Sequence, residues 1–134
     1  ERACAPLAAQ RRSADHLATM RAEINRQAQP GLTDEAFCAS DVAFHRALVD
    51  AAGNPVLSYQ LAGAVEAMQP LMNMITFTAR SREQIIGLHG ALVDRIEARD
   101  AAGADRVLAE LEHYTLELGR RFIAARRTGR QPGR

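Results

Sequence analysis

Tryptophan is absent from the sequence, and aromatic residues make up only 4% of its 134 positions. Neither sign of charge predominates, because 17 basic and 16 acidic residues leave a formal net charge of +1. A near-neutral chain does not produce the field that draws proteins to nucleic acid or to a membrane surface. No apolar run reaches the roughly 20 residues of a membrane-spanning helix, and no signal peptide opens the chain. We therefore expect a cytoplasmic protein without a membrane partner.

Cysteine is scarce too. Cys4 and Cys38 form no metal-binding or redox motif, so we expect two reduced thiols. The sequence also has no glycine-rich phosphate loop, no nucleophile elbow and no zinc-protease motif. Because these absences remove the common sequence signatures of catalysis, we predict that the chain is not an enzyme and assign no catalytic residue.

Apolar residues with helical spacing are abundant. They make up 47% of the chain, with Ala and Leu dominant, which excludes a disordered protein and favours closely packed helices. No segment alternates with period two, so we predict no sheet. Six helical segments joined by short turns predict an all-α antiparallel bundle over residues 1–126, followed by a disordered tail over 127–134. The helical pattern is already under way at Glu1, so we expect a truncated first helix.

Capping residues and prolines mark the expected helix boundaries. Three residues are N-cap candidates for the second, third and fifth helices: Ser13, Thr33 and Ser81. Gln84 completes a capping-box pattern with the last of these. Pro70 interrupts the apolar pattern of the fourth helix, where we expect a kink or a break. We place the last helix at about 104–126, after a turn.

One carboxylate and two imidazoles lie on otherwise apolar helix faces. Asp41 and His45 are one helical turn apart, so their side chains can converge on a single point. His89 is embedded in the apolar stripe of a later helix. Burying such groups alone is costly, so they need partners. The three residues form either a hydrogen-bonded core cluster or a site for a divalent metal or an acidic small molecule.

The stretch DVAFHRALVDAAGNPVL, residues 41–57, resembles the effector-binding FCD domain of FadR-type regulators in the GntR family. The opening ERACAPLAAQRR is similar to the first helix of that domain, and LHGALVDRIEARDAAGA to its penultimate helix and turn. The resemblance implies a bacterial transcription factor whose N-terminal winged helix-turn-helix is missing from this chain. It also implies an all-helical domain that binds small carboxylates and forms a homodimer. Operator DNA would then be bound only through the missing domain.

Many proteins of this kind hold a divalent metal with one Asp and three His. The Asp and two of the His match three residues of this chain: Asp41, His45 and His89. The resemblance therefore implies a metal site, which we expect to take Zn or Ni. The last His is expected where this chain has Leu111, and Glu110 lies one residue away. His113 points away from the apolar stripe of its helix, so the fourth ligand is left unassigned.

Three functions fit these patterns. The favoured one is the ligand-sensing and dimerisation domain of a transcription regulator, with a small carboxylate as effector. Asn73 and Arg80, which can reach a cavity beside Pro70, are assigned to effector binding. The alternatives are a metal-free structural dimerisation bundle and, less favoured, a metal-dependent hydrolase-like enzyme with Glu110 as its general base.

Overall fold

The chain folds into six α-helices. A computed structural model describes residues 1–79 and 81–129, with side chains described for all of these except 69–79. The helices are α1 (Cys4–Arg11), α2 (Ala14–Gln27), α3 (Asp34–Ala51), α4 (Pro55–Ala79), α5 (Arg82–Glu97) and α6 (Ala101–Arg127). No strand occurs within the described ranges, so the predicted all-α class is confirmed.

The predicted N-caps are confirmed at α2, α3 and α5. The Ser13 hydroxyl accepts a hydrogen bond from the His16 N–H, and the His16 ring accepts one from the Ser13 N–H. Thr33 caps α3, and Ser81 accepts from the Gln84 N–H. Each hydroxyl satisfies a backbone donor that the first helical turn leaves without an intrahelical acceptor. The caps therefore fix where these three helices begin.

Helix α4 continues past Pro70 to Ala79, so a break at this proline is wrong, whereas the alternative, a kink, stays a prediction. A proline inside a helix removes one hydrogen bond and costs about 3 kcal/mol, but it does not prevent the following residues from remaining helical. The 25-residue length of α4 leaves many other hydrogen bonds to hold the helix.

Helix α6 begins three residues earlier than expected. Asp100 is its N-cap, because the Asp100 carboxylate accepts a hydrogen bond of 2.8 Å from the Gly103 N–H. Gly103 thus belongs to the first helical turn, where a Cβ would collide with the Asp100 carboxylate. The helix ends at Arg127, residues 128–129 form a turn, and 130–134 of the expected tail lie outside the described residues.

The core lies where α1, α3, α5 and α6 meet. Three alanines of α1 have no exposed surface and allow close helix packing: Ala5, Ala8 and Ala9. The large buried side chains of the same cluster are Met20, Phe37, Phe44, Leu48, Ile85, Leu92, Ile96 and Leu108. Helix α2 packs against both α3 and α5. Across the described residues, no helix is long and apolar enough to cross a bilayer.

Candidate metal centre

Helices α3 and α5 bring three predicted site residues together. Asp41 Oδ1 lies 3.4 Å from His45 Nε2 and 3.3 Å from His89 Nε2. One potential ligand atom from each residue lies within 4.8 Å of the other two. Ligands that bind one ion at about 2.0–2.2 Å are themselves separated by roughly 3–3.6 Å. The arrangement therefore has the dimensions of a site that could hold a metal ion.

The opposite nitrogen of each imidazole contacts an oxygen. His89 Nδ1 lies 2.8 Å from Gln27 Oε1, and His45 Nδ1 lies 2.6 Å from Glu1 Oε1. Both Nδ1 atoms therefore act as N–H donors, and a neutral imidazole then presents a lone pair at Nε2. Two lone pairs and the Asp41 carboxylate face one another. Such a group of acceptors is stabilised by a cation between them, either a metal ion or an added proton.

In the absence of a metal ion, the added proton binds at His45. Burial of the ring lowers the pKa of His45, but the carboxylates of Glu1 and Asp41 outweigh burial and raise this pKa to about 10. Without a metal, His45 is therefore an imidazolium at neutral pH and bridges the two carboxylates. A metal that binds Nε2 must displace this proton, so metal binding and proton release are coupled.

Aromatic packing fixes the orientation of the buried imidazole. The Phe44 ring stacks on His89 with a centroid distance of 4.0 Å and an interplanar angle of 18°. The His45 ring meets His89 edge-on, at 5.4 Å and 78°. Phe44 and His89 have no exposed surface. Stacking on one side and Gln27 at Nδ1 therefore leave His89 little freedom to turn away from Asp41.

The structure adds two residues that the sequence reasoning missed. Gln27 is 2% exposed and follows Leu17, Met20 and Ile24 at helical spacing, so it continues the buried stripe of α2. That spacing was a signal for burial, although not for contact with His89. Glu1 carried no signal, because its role arises only from the packing of α1 against α3.

No fourth ligand is present among the residues that the structure describes. Glu110 and His113 are exposed, whereas Leu111 is 4% exposed and packs in the core. The helical phase that placed His113 away from the apolar stripe is therefore confirmed. The side chain of Asn73 and the whole of Arg80 lie outside the described residues.

A cavity of about 440 Å³ adjoins Asp41 and His45, between α3, α4 and α6. This volume is within the range of roughly 300–1,000 Å³ that is usual for small-molecule sites. The remaining lining residues are Glu1, Cys38, Val42, Leu61, Ala64, Val65, Met68, Leu108, Leu111, Glu112, Thr115 and Leu116. The candidate metal centre thus forms one polar end of a largely apolar cavity.

A comparison with known families gives one match. The profile of the FCD domain matches residues 1–113, which is most of the chain. No curated protein matches the sequence. The match covers α1 to α5 and the first half of α6, and it includes all three residues of the candidate metal centre. The chain therefore belongs to the FCD domain family, the effector-binding domains of transcription regulators, as the resemblance of its sequence indicated.

Proposed function

We propose that this chain is the ligand-sensing and dimerisation domain of a GntR/FadR-type bacterial transcription regulator, and that it binds a small carboxylate through a divalent metal. Asp41, His45 and His89 would hold the metal. The observation that carries the proposal is the convergence of three acceptor atoms, two of whose residues, Asp41 and His45, also line a cavity. Three protein ligands leave coordination positions for a carboxylate. Imidazole and carboxylate ligands suit zinc or nickel.

The proposed effector would act by changing how the helices around it pack. The cavity touches α3, α4 and α6, so a bound molecule contacts three helices at once. An effector that binds one arrangement of these helices more tightly shifts the population toward it. In the full regulator, that shift would change the geometry of two attached winged helix-turn-helix domains. DNA would be bound by those domains in the cytoplasm, and not by this chain.

Exposed apolar side chains support the proposed homodimer. Val56 and Tyr59, which are three residues apart on α4, are 63% and 83% exposed. Large exposed apolar residues that cluster on a helix are typical of a surface that binds another protein. A second copy of the chain would cover this surface through a symmetric contact. Asn73 and Arg80 remain our proposal for further effector contacts.

One observation favours a second candidate, the metal-free structural bundle. A protonated His45 satisfies Glu1 and Asp41 without any metal, and the raised pKa of His45 favours that state. The polar cluster would then contribute only core hydrogen bonds. We assign no catalytic residue in either case.

Metal analysis combined with thermal melting separates the two candidates. The sensing domain should bind one zinc or nickel ion per chain, and a small carboxylate should raise the melting temperature only of the metal-loaded protein. A ligand at 100 times its Kd stabilises the folded state by about 2.7 kcal/mol. If zinc neither binds nor changes the response to carboxylates, the structural bundle is the correct reading.

A further inference from the structure

We propose that the cavity beside Asp41 and His45 selects a monocarboxylate with a short apolar carbon chain. This inference rests on the proposed function, because it takes the carboxylate group to the metal. The inference adds the chemical nature of the part of the effector that lies beyond its carboxylate group. The walls of the cavity, and the few polar groups that they contain, determine this selectivity.

The walls opposite the metal centre are apolar. Helix α4 contributes Leu61 and Val65, and α6 contributes Leu108 and Leu111. Leu61 and Val65 are only partly buried and so retain accessible apolar surface, whereas Leu108 and Leu111 are almost fully buried. A hydroxyl group placed against such a wall loses its hydrogen bonds to water and gains none. The walls therefore favour methylene groups and disfavour a polyhydroxylated acid.

Two polar groups line the cavity on α6, and neither offers a hydrogen-bond donor to a second carboxylate. The Thr115 hydroxyl donates a 3.0 Å hydrogen bond to the Leu111 carbonyl, so its proton is used within the helix. Glu112 is an acid, and a guanidinium nitrogen of Arg2 lies 4.0 Å from its carboxylate. A second carboxylate on the ligand would meet this like charge. The cavity therefore disfavours a dicarboxylate as well.

The apolar surface continues to the rim of the cavity. Met68 of α4 is 47% exposed and Leu116 of α6 is 61% exposed, and both line the cavity. A carbon chain that extends from the metal would cover these two side chains. Each methylene that leaves water for such a surface strengthens binding about fourfold. Affinity should therefore grow with chain length.

The test is binding of a carboxylate series to the zinc-loaded chain, measured by isothermal titration calorimetry. The series consists of acetate, butyrate, hexanoate, succinate and gluconate. We expect hexanoate to bind about 250-fold more tightly than acetate, at about fourfold for each of four methylenes. Succinate and gluconate should bind at least tenfold more weakly than hexanoate. Equal affinities across the alkyl series, or tighter binding of gluconate or succinate, would overturn the inference but leave the metal-bound carboxylate in place.

A different result would overturn the proposed function itself. If the chain retains zinc but none of the five acids binds, the metal does not serve as a carboxylate anchor, and both proposals fail. The chain-length preference can therefore be judged separately from carboxylate binding.

Met68→Gln provides a variant with little risk of misfolding, because the side chain is half exposed. It should weaken hexanoate binding about fivefold to tenfold and leave acetate binding unchanged. Ala67→Gln is the matched control, since Ala67 lies next to Met68 on the same helix, is exposed and does not line the cavity. The control should leave both affinities unchanged. If Met68→Gln weakens acetate and hexanoate equally, Met68 does not contact the carbon chain.

Discussion

Replacing Gln27 tests the proposed metal centre selectively, because it removes a hydrogen bond to His89 and leaves all three proposed ligands in place. Its Oε1 atom accepts from His89 Nδ1 at 2.8 Å, and both side chains are buried. In Gln27→Leu, Nδ1 loses its acceptor in the core. The imidazole then gains by moving its proton to Nε2, where it can donate to the Asp41 oxygen at 3.3 Å. That tautomer has no lone pair left for a metal at Nε2.

Two magnitudes follow for Gln27→Leu. A buried donor without its acceptor costs about 1–3 kcal/mol, and a change of tautomer recovers part of that cost in the metal-free protein. Metal binding must restore the first tautomer, so zinc affinity should fall by about 10- to 100-fold, which is the usual effect of removing a hydrogen bond to a metal-binding histidine. Gln27→Glu keeps an oxygen at this position, so its zinc affinity should equal or exceed that of the wild type.

The assay is competition for zinc with a chromophoric chelator at pH 7.5, with circular dichroism to establish that each variant is folded. Gln10→Leu is the matched control, because it makes the same substitution at an exposed position of α1, whereas His89 is fully buried. Zinc affinity of Gln27→Leu within threefold of the wild type would refute the reasoning. It would mean that the Gln27 contact does not determine the tautomer of His89.

Three further predictions concern the metal-free protein and the ligands. The pKa of His45 is raised in the folded state to about 10, so the stabilising effect of its proton is complete below pH 6.5 and is lost as pH rises to 10. The melting temperature of the metal-free protein should therefore fall between pH 6.5 and 10. A melting temperature that stays constant over this range would contradict the bridging imidazolium. His89→Ala should weaken zinc and carboxylate binding together with little change in helix content, and full zinc occupancy in this variant would place the site elsewhere. Phe44→Ala should lower the free energy of unfolding in urea by about 3–5 kcal/mol, since the fully buried ring also stacks on His89; a loss under 1 kcal/mol would argue against that packing.

The fold was largely predictable because caps and apolar spacing act locally. Ser13, Thr33 and Ser81 each cap a helix by accepting a hydrogen bond from a backbone N–H three residues later, which a sequence shows directly. The start of α6 differs from the prediction because a glycine shortly after an aspartate is typical of a turn, whereas Gly103 lies in the first turn of the helix. A side chain at position 103 would collide with the Asp100 carboxylate, so this position requires glycine. That contact is visible only in the three-dimensional structure.

The candidate site was predictable only in part. Asp41 and His45 lie one turn apart on a helix, so their proximity followed from spacing. The approach of His89 depended on the resemblance to a known family, because it joins two helices that are distant in sequence. Gln27 and Glu1 could not be assigned, since each reaches an imidazole from a third helix or from the residues before α1.

The central claim is that Asp41, His45 and His89 hold one divalent metal, and anomalous diffraction from crystals grown with zinc tests it most directly. The account predicts one strong anomalous peak about 2.0–2.2 Å from a carboxylate oxygen of Asp41 and from the Nε2 atoms of His45 and His89. A zinc-saturated crystal with no peak at this point, and with the Nε2 atoms hydrogen-bonded directly to Asp41, would contradict the account.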